Sequence, residues 1–171
     1  HPHSYGIIAI GLAPGDKLIG ACLTNGDQDI VLLTRHGMAI RFAESDVRPM
    51  GRTARGVRGI RLRKGDSVVA MAVADPSATL LTVCENGFGK RTPFDEYRRQ
   101  GRGGYGLIDI KTTERNGKVV GALTVRDDDE VMLITAQGKL IRFPVAHTRP
   151  IGRNTQGVRL ITCGDGDRLV A

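Results

Sequence analysis

Gly56-Val-Arg-Gly-Ile-Arg-Leu62 has counterparts in Gly6-Ile-Ile-Ala-Ile-Gly-Leu12, Gly106-Leu-Ile-Asp-Ile-Lys111 and Gly157-Val-Arg-Leu-Ile-Thr162, so a glycine opening an apolar, alternating run returns after 50, 50 and 51 residues. Self-similarity at a fixed period means that one supersecondary unit has been copied, and the fold is to be read as an array of units. Gly37, Gly87 and Gly138 keep the same frame, and each is followed four residues later by arginine: Arg41, Arg91 and Arg142. The copying therefore preserves basic groups as well as backbone.

Each copy divides into four strand-sized segments separated by turn residues. In the first these are Ile7–Leu12, Leu18–Leu23, Ile30–Thr34 and Met38–Phe42, broken by Pro14-Gly15-Asp16, Asn25-Gly26-Asp27 and His36-Gly37. The second supplies Val57–Leu62, Val68–Val73, Leu80–Cys84 and Phe88–Thr92; the third supplies Leu107–Lys111, Val119–Val125, Val131–Thr135 and Lys139–Phe143. A fourth copy shows Val158–Thr162 and stops at Ala171. Helical periodicity is nearly absent, and the one interval with room for a short helical turn follows the fourth strand. About 50 residues with four strands per copy predicts an all-β, radially repeated, propeller-like fold rather than a solenoid. The expectation is one domain over residues 1–171, with roughly three to four four-stranded blades in an open or partial ring. Its units cover about residues 5–55, 56–105 and 106–156, with a partial unit at 157–171.

The chain carries 25 basic against 18 acidic side chains. Nineteen of the basic groups are arginine, whose planar fork of donors matches phosphate oxygens. A net charge of +7 alone would serve solubility equally well. Position decides between the two, because the positive charge collects at one phase of the repeat, after the fourth strand. There the first copy has Arg48, Arg52, Arg55, Arg58, Arg61 and Arg63, the second Arg98, Arg99 and Arg102, the third Arg149, Arg153 and Arg159. A radial array brings equivalent loops to equivalent places, so these clusters should form one curved belt suited to a bent duplex. The phosphate contacts expected are Arg48, Arg52, Arg55, Arg58, Arg98, Arg99, Arg102, Arg149 and Arg153, with Gly101, Gly103 and Gly104 permitting close backbone approach. Arg41, Arg91 and Arg142 either join the belt or pair with acidic neighbours. No recognition helix is evident for base reading. Seven aromatics and no tryptophan are too few for single-strand stacking platforms.

Several other patterns carry no chemistry. Cys22, Cys84 and Cys163 lie far apart without a histidine at ligand spacing and read as reduced, strand-borne core residues of a cytoplasmic protein. The apolar runs are too short to span a membrane. The opening His1-Pro2-His3 lacks signal-peptide character and reads as an added remnant rather than a metal site. Gly101-x-Gly-x-x-Gly106 satisfies a dinucleotide-binding pattern, but a strand follows it where that pattern needs a helix. Asp127-Asp128-Asp129 falls at a connection between strands and reads as a turn. His36 and His147 sit at different phases with no nucleophile beside them, so neither catalytic nor metal-ligating residues are expected.

Three segments in register carry a resemblance: Gly51-Arg-Thr-Ala-Arg-Gly-Val-Arg-Gly-Ile-Arg-Leu62, Thr113-Glu-Arg-Asn-Gly-Lys-Val-Val-Gly-Ala122 and Gly152-Arg-Asn-Thr-Gln-Gly-Val158. They resemble the C-terminal domain of DNA gyrase A over nearly the whole chain. The resemblance implies a β-pinwheel, in which neighbouring blades share strands and double-stranded DNA wraps around the rim. It further implies a parent type II topoisomerase in which the partners are the rest of gyrase A and gyrase B. ATP and Mg2+ would be used elsewhere in that bacterial, nucleoid-associated holoenzyme, and the domain itself would have no cofactor and no catalytic residue. The family ring usually has about six blades, so the chain looks like the later ones. The family's Gln-Arg-Arg-Gly-Gly-Arg-Gly box has a partial counterpart in Gln100-Gly-Arg-Gly-Gly-Tyr-Gly106, read here as a box-like DNA contact rather than the principal box. The alternatives are the topoisomerase IV counterpart, which wraps less, and a protein-interaction propeller, which would expose apolar loops and bind without regard to salt.

Overall fold

Aliphatic runs bounded by tight turns form ten strands in the computed structural model, which describes residues 5–171. The His1-Pro2-His3 opening lies outside the described residues. The strands are β1 (Asp29–Thr34), β2 (Met38–Ala43), β3 (Val68–Ala74), β4 (Thr79–Cys84), β5 (Phe88–Pro93), β6 (Leu107–Ile108), β7 (Val119–Val125), β8 (Glu130–Ile134), β9 (Leu140–Pro144) and β10 (Val158–Arg159). Single 3-10 turns follow β2, β5 and β9 at Glu44–Asp46, Phe94–Glu96 and Val145–His147, in the interval expected to hold a short helical turn.

The strands make three antiparallel sheets, ordered β3-β1-β2-β6, β10-β5-β4-β7 and β8-β9. One rule generates all three. The third and fourth strands of a copy form a hairpin, the second strand of the next copy joins one side, and the first strand of the copy after that joins the other. Thus β3 of the second copy pairs with β1, and β6 of the third copy pairs with β2. One repeat later β7 pairs with β4, and β10 with β5. The third hairpin repeats the pattern in part, with Thr135 bridged to Leu169 and Val170 N donating to Ile134 O at 3.0 Å. Among the described residues no strand pairing returns from the third sheet to the first, and the array is open.

This rule also explains where the expected strands are absent. Ile7–Leu12, Leu18–Leu23 and Val57–Leu62 form no strand. By this rule each would pair with a hairpin from one or two copies earlier. Ile7, Ile8, Leu18 and Leu23 are exposed, and so is Cys22, contrary to its expected core position. Cys84 is buried and Cys163 half-buried, and all three cysteines are free.

The period-two alternation of strands places the core between successive sheets. Val31, Leu33, Ala72 and Ala74 of the first sheet meet Leu80 and Ala122 of the second, with Phe94 and Tyr97 closing the cluster. Leu81 and Val83, on the other face of β4, meet Val131, Leu133, Val145, Ile161 and Leu169. Because β4 lies between two cores, all six of its residues are buried. Strand exchange demands close backbone approach at Gly106. Its φ is +74°, and a Cβ there would stand 2.2 Å from Ala39 O. Its equivalent Gly157 repeats this, at 2.5 Å from Gly89 O.

Candidate nucleic-acid interface

The inner edge strands β3 and β7 pack against one another. With β8 they line an apolar cleft of about 500 Å³, between Val68–Met71, Val120–Leu123 and Met132, and none of its lining residues has an ionisable side chain. The opposite edges, carrying β6 and β10, therefore form the outside of the array, and the basic connectors run along them. Arg98–Gly106 follows the first sheet: Arg99 bridges Arg41 in parallel, Gln100 N donates to Arg41 O at 2.9 Å, and Arg61 N donates to Gly104 O at 2.7 Å. Arg149–Gly157 follows the second sheet in the same way. Pro150 bridges Arg91, Ile151 N donates to Arg91 O at 2.8 Å, and Asn154 N donates to Asp109 O at 3.1 Å. Equivalent connectors thus occupy equivalent places on successive sheets.

The arginines of these connectors fall into two groups. Some are clamps. Arg102 Nε donates to Asp46 O at 2.9 Å and Nη1 to Arg58 O at 3.1 Å; one repeat later Arg153 Nε donates to Glu96 O at 2.6 Å and Nη1 to Ile108 O at 2.9 Å. Each ties a 3-10 turn to the first segment of the following copy, Arg102 to Val57–Leu62 and Arg153 to β6. Arg99 is bound to the buried Asp29 carboxylate, although its own side chain stays 59% exposed. Arg48, Arg52, Arg55, Arg58, Arg98 and Arg149 are exposed, and among the described residues no carboxylate engages their side chains. Among the described residues no hydrogen-bond or ion-pair partner engages these six guanidinium groups. Gly101 has open space where a Cβ would stand, while Gly103, at φ +84°, shapes the connector and donates to Gly59 O at 2.6 Å. Gly104 faces the Gln100 side chain, whose Oε1 would lie 3.5 Å from a Cβ.

Arg41, Arg91 and Arg142 resolve toward their acidic neighbours. Arg41 Nε meets Asp29 Oδ2 at 2.7 Å, and its Nη1 donates to Phe94 O at 2.8 Å. Arg91 is ion-paired with Asp127, and its Nη1 donates to Val145 O at 3.1 Å and Thr148 O at 3.2 Å. Arg142 Nε lies 3.3 Å from Glu130 Oε2. These side chains lie on the strands and hold the next 3-10 turn or a hairpin partner. Asp29 collects two of the cations. Burial pushes its carboxyl upward, but hydrogen bonds from Arg99 and then Arg41, with their charges, outweigh that and hold it below the usual carboxylate range. Asp127 accepts Arg91, and Asp129 Oδ2 accepts Arg126 N at 2.7 Å, as befits a turn.

Two cationic stacks were not foreseen in the sequence. Arg61 and Arg63 lie over the Tyr105 ring, and Arg115 and Arg159 over the Phe88 ring. A signal existed for the first, since residues two apart on an extended segment share a face and Tyr105 is the aromatic embedded in the glycine-rich connector. The pairing of that connector with Arg58–Arg63 was the missing step.

The sequence matches the family described as DNA gyrase C-terminal domain, beta-propeller, over residues 28–75, 78–126 and 129–171. It is 48% identical over 169 residues to DNA gyrase A of Pseudomonas aeruginosa, covering 99% of this chain and 18% of that protein. It is 47% identical over 165 residues to DNA gyrase A of Escherichia coli, covering 96% and 19%. The chain thus spans about a fifth of the length of these relatives. A solved structure of a DNA gyrase A C-terminal domain is similar at a TM-score of 0.90 and 30% identity, covering 98% of this chain and 57% of the other. The C-terminal domain of a DNA topoisomerase IV shares the fold at a TM-score of 0.89 and 24% identity, covering 95% and 51%.

Proposed function

Because this chain belongs to the DNA gyrase C-terminal domain family, we propose that it binds double-stranded DNA along the outer edges of its sheets, without strong sequence preference, and bends the duplex around them. The observation that carries this reading is the recurrence at one phase of the repeat of exposed arginines that meet no carboxylate among the described residues, Arg48, Arg98 and Arg149, the last two on connectors that follow the first and second sheets. A solubilising surface has no reason to keep that phase. Arg52, Arg55 and Arg58 add charge beside the first sheet; Arg99, Arg102 and Arg153 shape the connectors and still offer remaining donors to a phosphate. Gly101 keeps the backbone open to it, while Gly103 and Gly104 shape the connector.

Each phosphate neutralised releases counterions and contributes about 0.9 to the slope of log affinity against log salt on a duplex, so six free arginines correspond to a slope of about −5. Bending 20 to 30 base pairs through 40 to 90 degrees costs roughly 1–6 kcal/mol, which contacts on successive sheets offset. The domain performs no chemistry in this reading. In the parent enzyme, with the rest of gyrase A and gyrase B, it serves a supercoiling reaction whose ATP and Mg2+ are used elsewhere in the holoenzyme, in the bacterial cytoplasm on the nucleoid. Among the described residues no helix is long and apolar enough to cross a membrane.

The test is a salt titration of duplex affinity with the full-length protein and its Arg48→Ala/Arg98→Ala/Arg149→Ala variant. A steep slope, reduced by about 2.7 in the variant, is expected from three lost phosphate contacts. Salt-independent binding would instead favour a protein partner. A shift in linking number after relaxation of circular DNA would report the bend as a wrap.

A further inference from the structure

We propose that Tyr105 is a positioning residue that holds Arg61 and Arg63 as a paired phosphate contact at the outer edge of the first sheet. This inference rests on the duplex-binding reading above. Tyr105 is 44% exposed, with Arg61 Cζ 5.1 Å and Arg63 Cζ 5.6 Å from its ring centroid. Both arginines are exposed, and among the described residues neither meets a carboxylate. Their backbone is fixed to the connector that carries the tyrosine: Gly103 N donates to Gly59 O at 2.6 Å and Arg61 N to Gly104 O at 2.7 Å. Arg102 Nη1 completes the tie on Arg58 O at 3.1 Å.

Two like charges held against one ring without a counter-ion repel each other, and an anion between or beside them relieves that repulsion. The stack removes side-chain freedom before the anion arrives, which lowers the cost of ordering on binding. The Tyr105 stack has no copy in register in the other repeats. Tyr105 stands where the neighbouring copies have Arg55 and Gln156, and Arg61 and Arg63 stand where the third copy has Lys111 and Thr113. The second sheet's outer edge carries a different stack, Arg115 and Arg159 over the Phe88 ring, with Arg159 supplied by β10.

The experiment measures affinity of the full-length protein for a linear duplex across salt concentrations, with Tyr105→Phe, Tyr105→Gln, Arg61→Ala/Arg63→Ala and the combined variants. The double arginine variant is expected to reduce the salt slope by about 2. Tyr105→Gln is expected to weaken binding a few-fold to about tenfold in the wild-type background, through loss of two cation–π contacts, and not at all when both arginines are absent. Tyr105→Phe keeps the ring face and binds like wild type. Far-UV circular dichroism confirms that the variants fold, as expected for exposed side chains. An unchanged slope in the arginine variant, or an equal effect of Tyr105→Gln in both backgrounds, overturns the inference while leaving duplex binding intact. Salt-independent binding by the unaltered protein would overturn both.

Discussion

Replacing Lys90 with methionine is the sharpest probe of how the first and second sheets are joined. Lys90 and Asp109 are fully buried, at 0% side-chain exposure each, and Lys90 Nζ lies 2.9 Å from Asp109 Oδ1. Thr82 Oγ1 donates to the same carboxylate at 2.8 Å and the Tyr97 hydroxyl at 2.5 Å. Burial, and then the charge of Asp109, push the Tyr97 phenol upward, so it remains a donor. The neighbouring copies show what this cluster replaces: Lys90 stands in register with Ile40 and Ile141, and Asp109 with Gly59 and Leu160. Removing the cation leaves a carboxylate in a dry interior, which costs about 3–5 kcal/mol. The two hydroxyl donors that survive place the loss near 3 kcal/mol. For a chain of this size that lowers the melting temperature by roughly 6–12 °C. Converting both partners, with Lys90→Met and Asp109→Leu, restores the apolar solution of the other copies and recovers most of the loss. Urea unfolding followed by circular dichroism reads both variants. A single variant within 1 kcal/mol of wild type, or a double variant no more stable than the single one, would refute this account.

Three further outcomes are expected. The stability that the Asp29 pairs with Arg99 and Arg41 supply belongs to the ionised carboxyl, whose pKa is lowered on folding. It is therefore fully present above the unfolded value of about 3.9 and lost as pH falls through the depressed native one. An acid titration of Asp29→Asn should lack that component, and equal acid sensitivity of variant and wild type would exclude it. Cys22 is exposed and reacts promptly with a thiol reagent, whereas Cys84 reacts only on unfolding, because burial, and secondarily Asp109 and Glu85, push its thiol up to about 12; alkylation followed by mass spectrometry distinguishes them. Gly106→Ala brings a methyl against Ala39 O in a left-handed backbone and should destabilise by at least about 1–3 kcal/mol. Gly56→Ala, with φ +80° but open space around it, should cost less in the same denaturation assay.

Much of this architecture was readable in the residues. The 50-residue period, the strand segments Ile30–Thr34, Val68–Val73 and Val119–Val125, and the basic phase after each fourth strand depend on short-range pattern, which any stretch of chain displays on its own. The division of the arginines into clamps and free groups was not readable. Arg98 and Arg99 are neighbours of the same type, yet Arg99 meets Asp29, 70 residues away, and Arg98 meets no carboxylate among the described residues. Arg41 and Arg91 likewise find carbonyl partners more than 50 residues ahead.

Alternation of apolar and polar side chains specifies that a segment will be a strand and which face it buries, because those are properties of consecutive residues. Which strand it will lie beside is set by backbone hydrogen bonds between copies, and similar copies offer nearly interchangeable edges. Pairing between copies two apart therefore emerged from packing in three dimensions. That pairing drew the Arg61, Arg63 and Tyr105 side chains together.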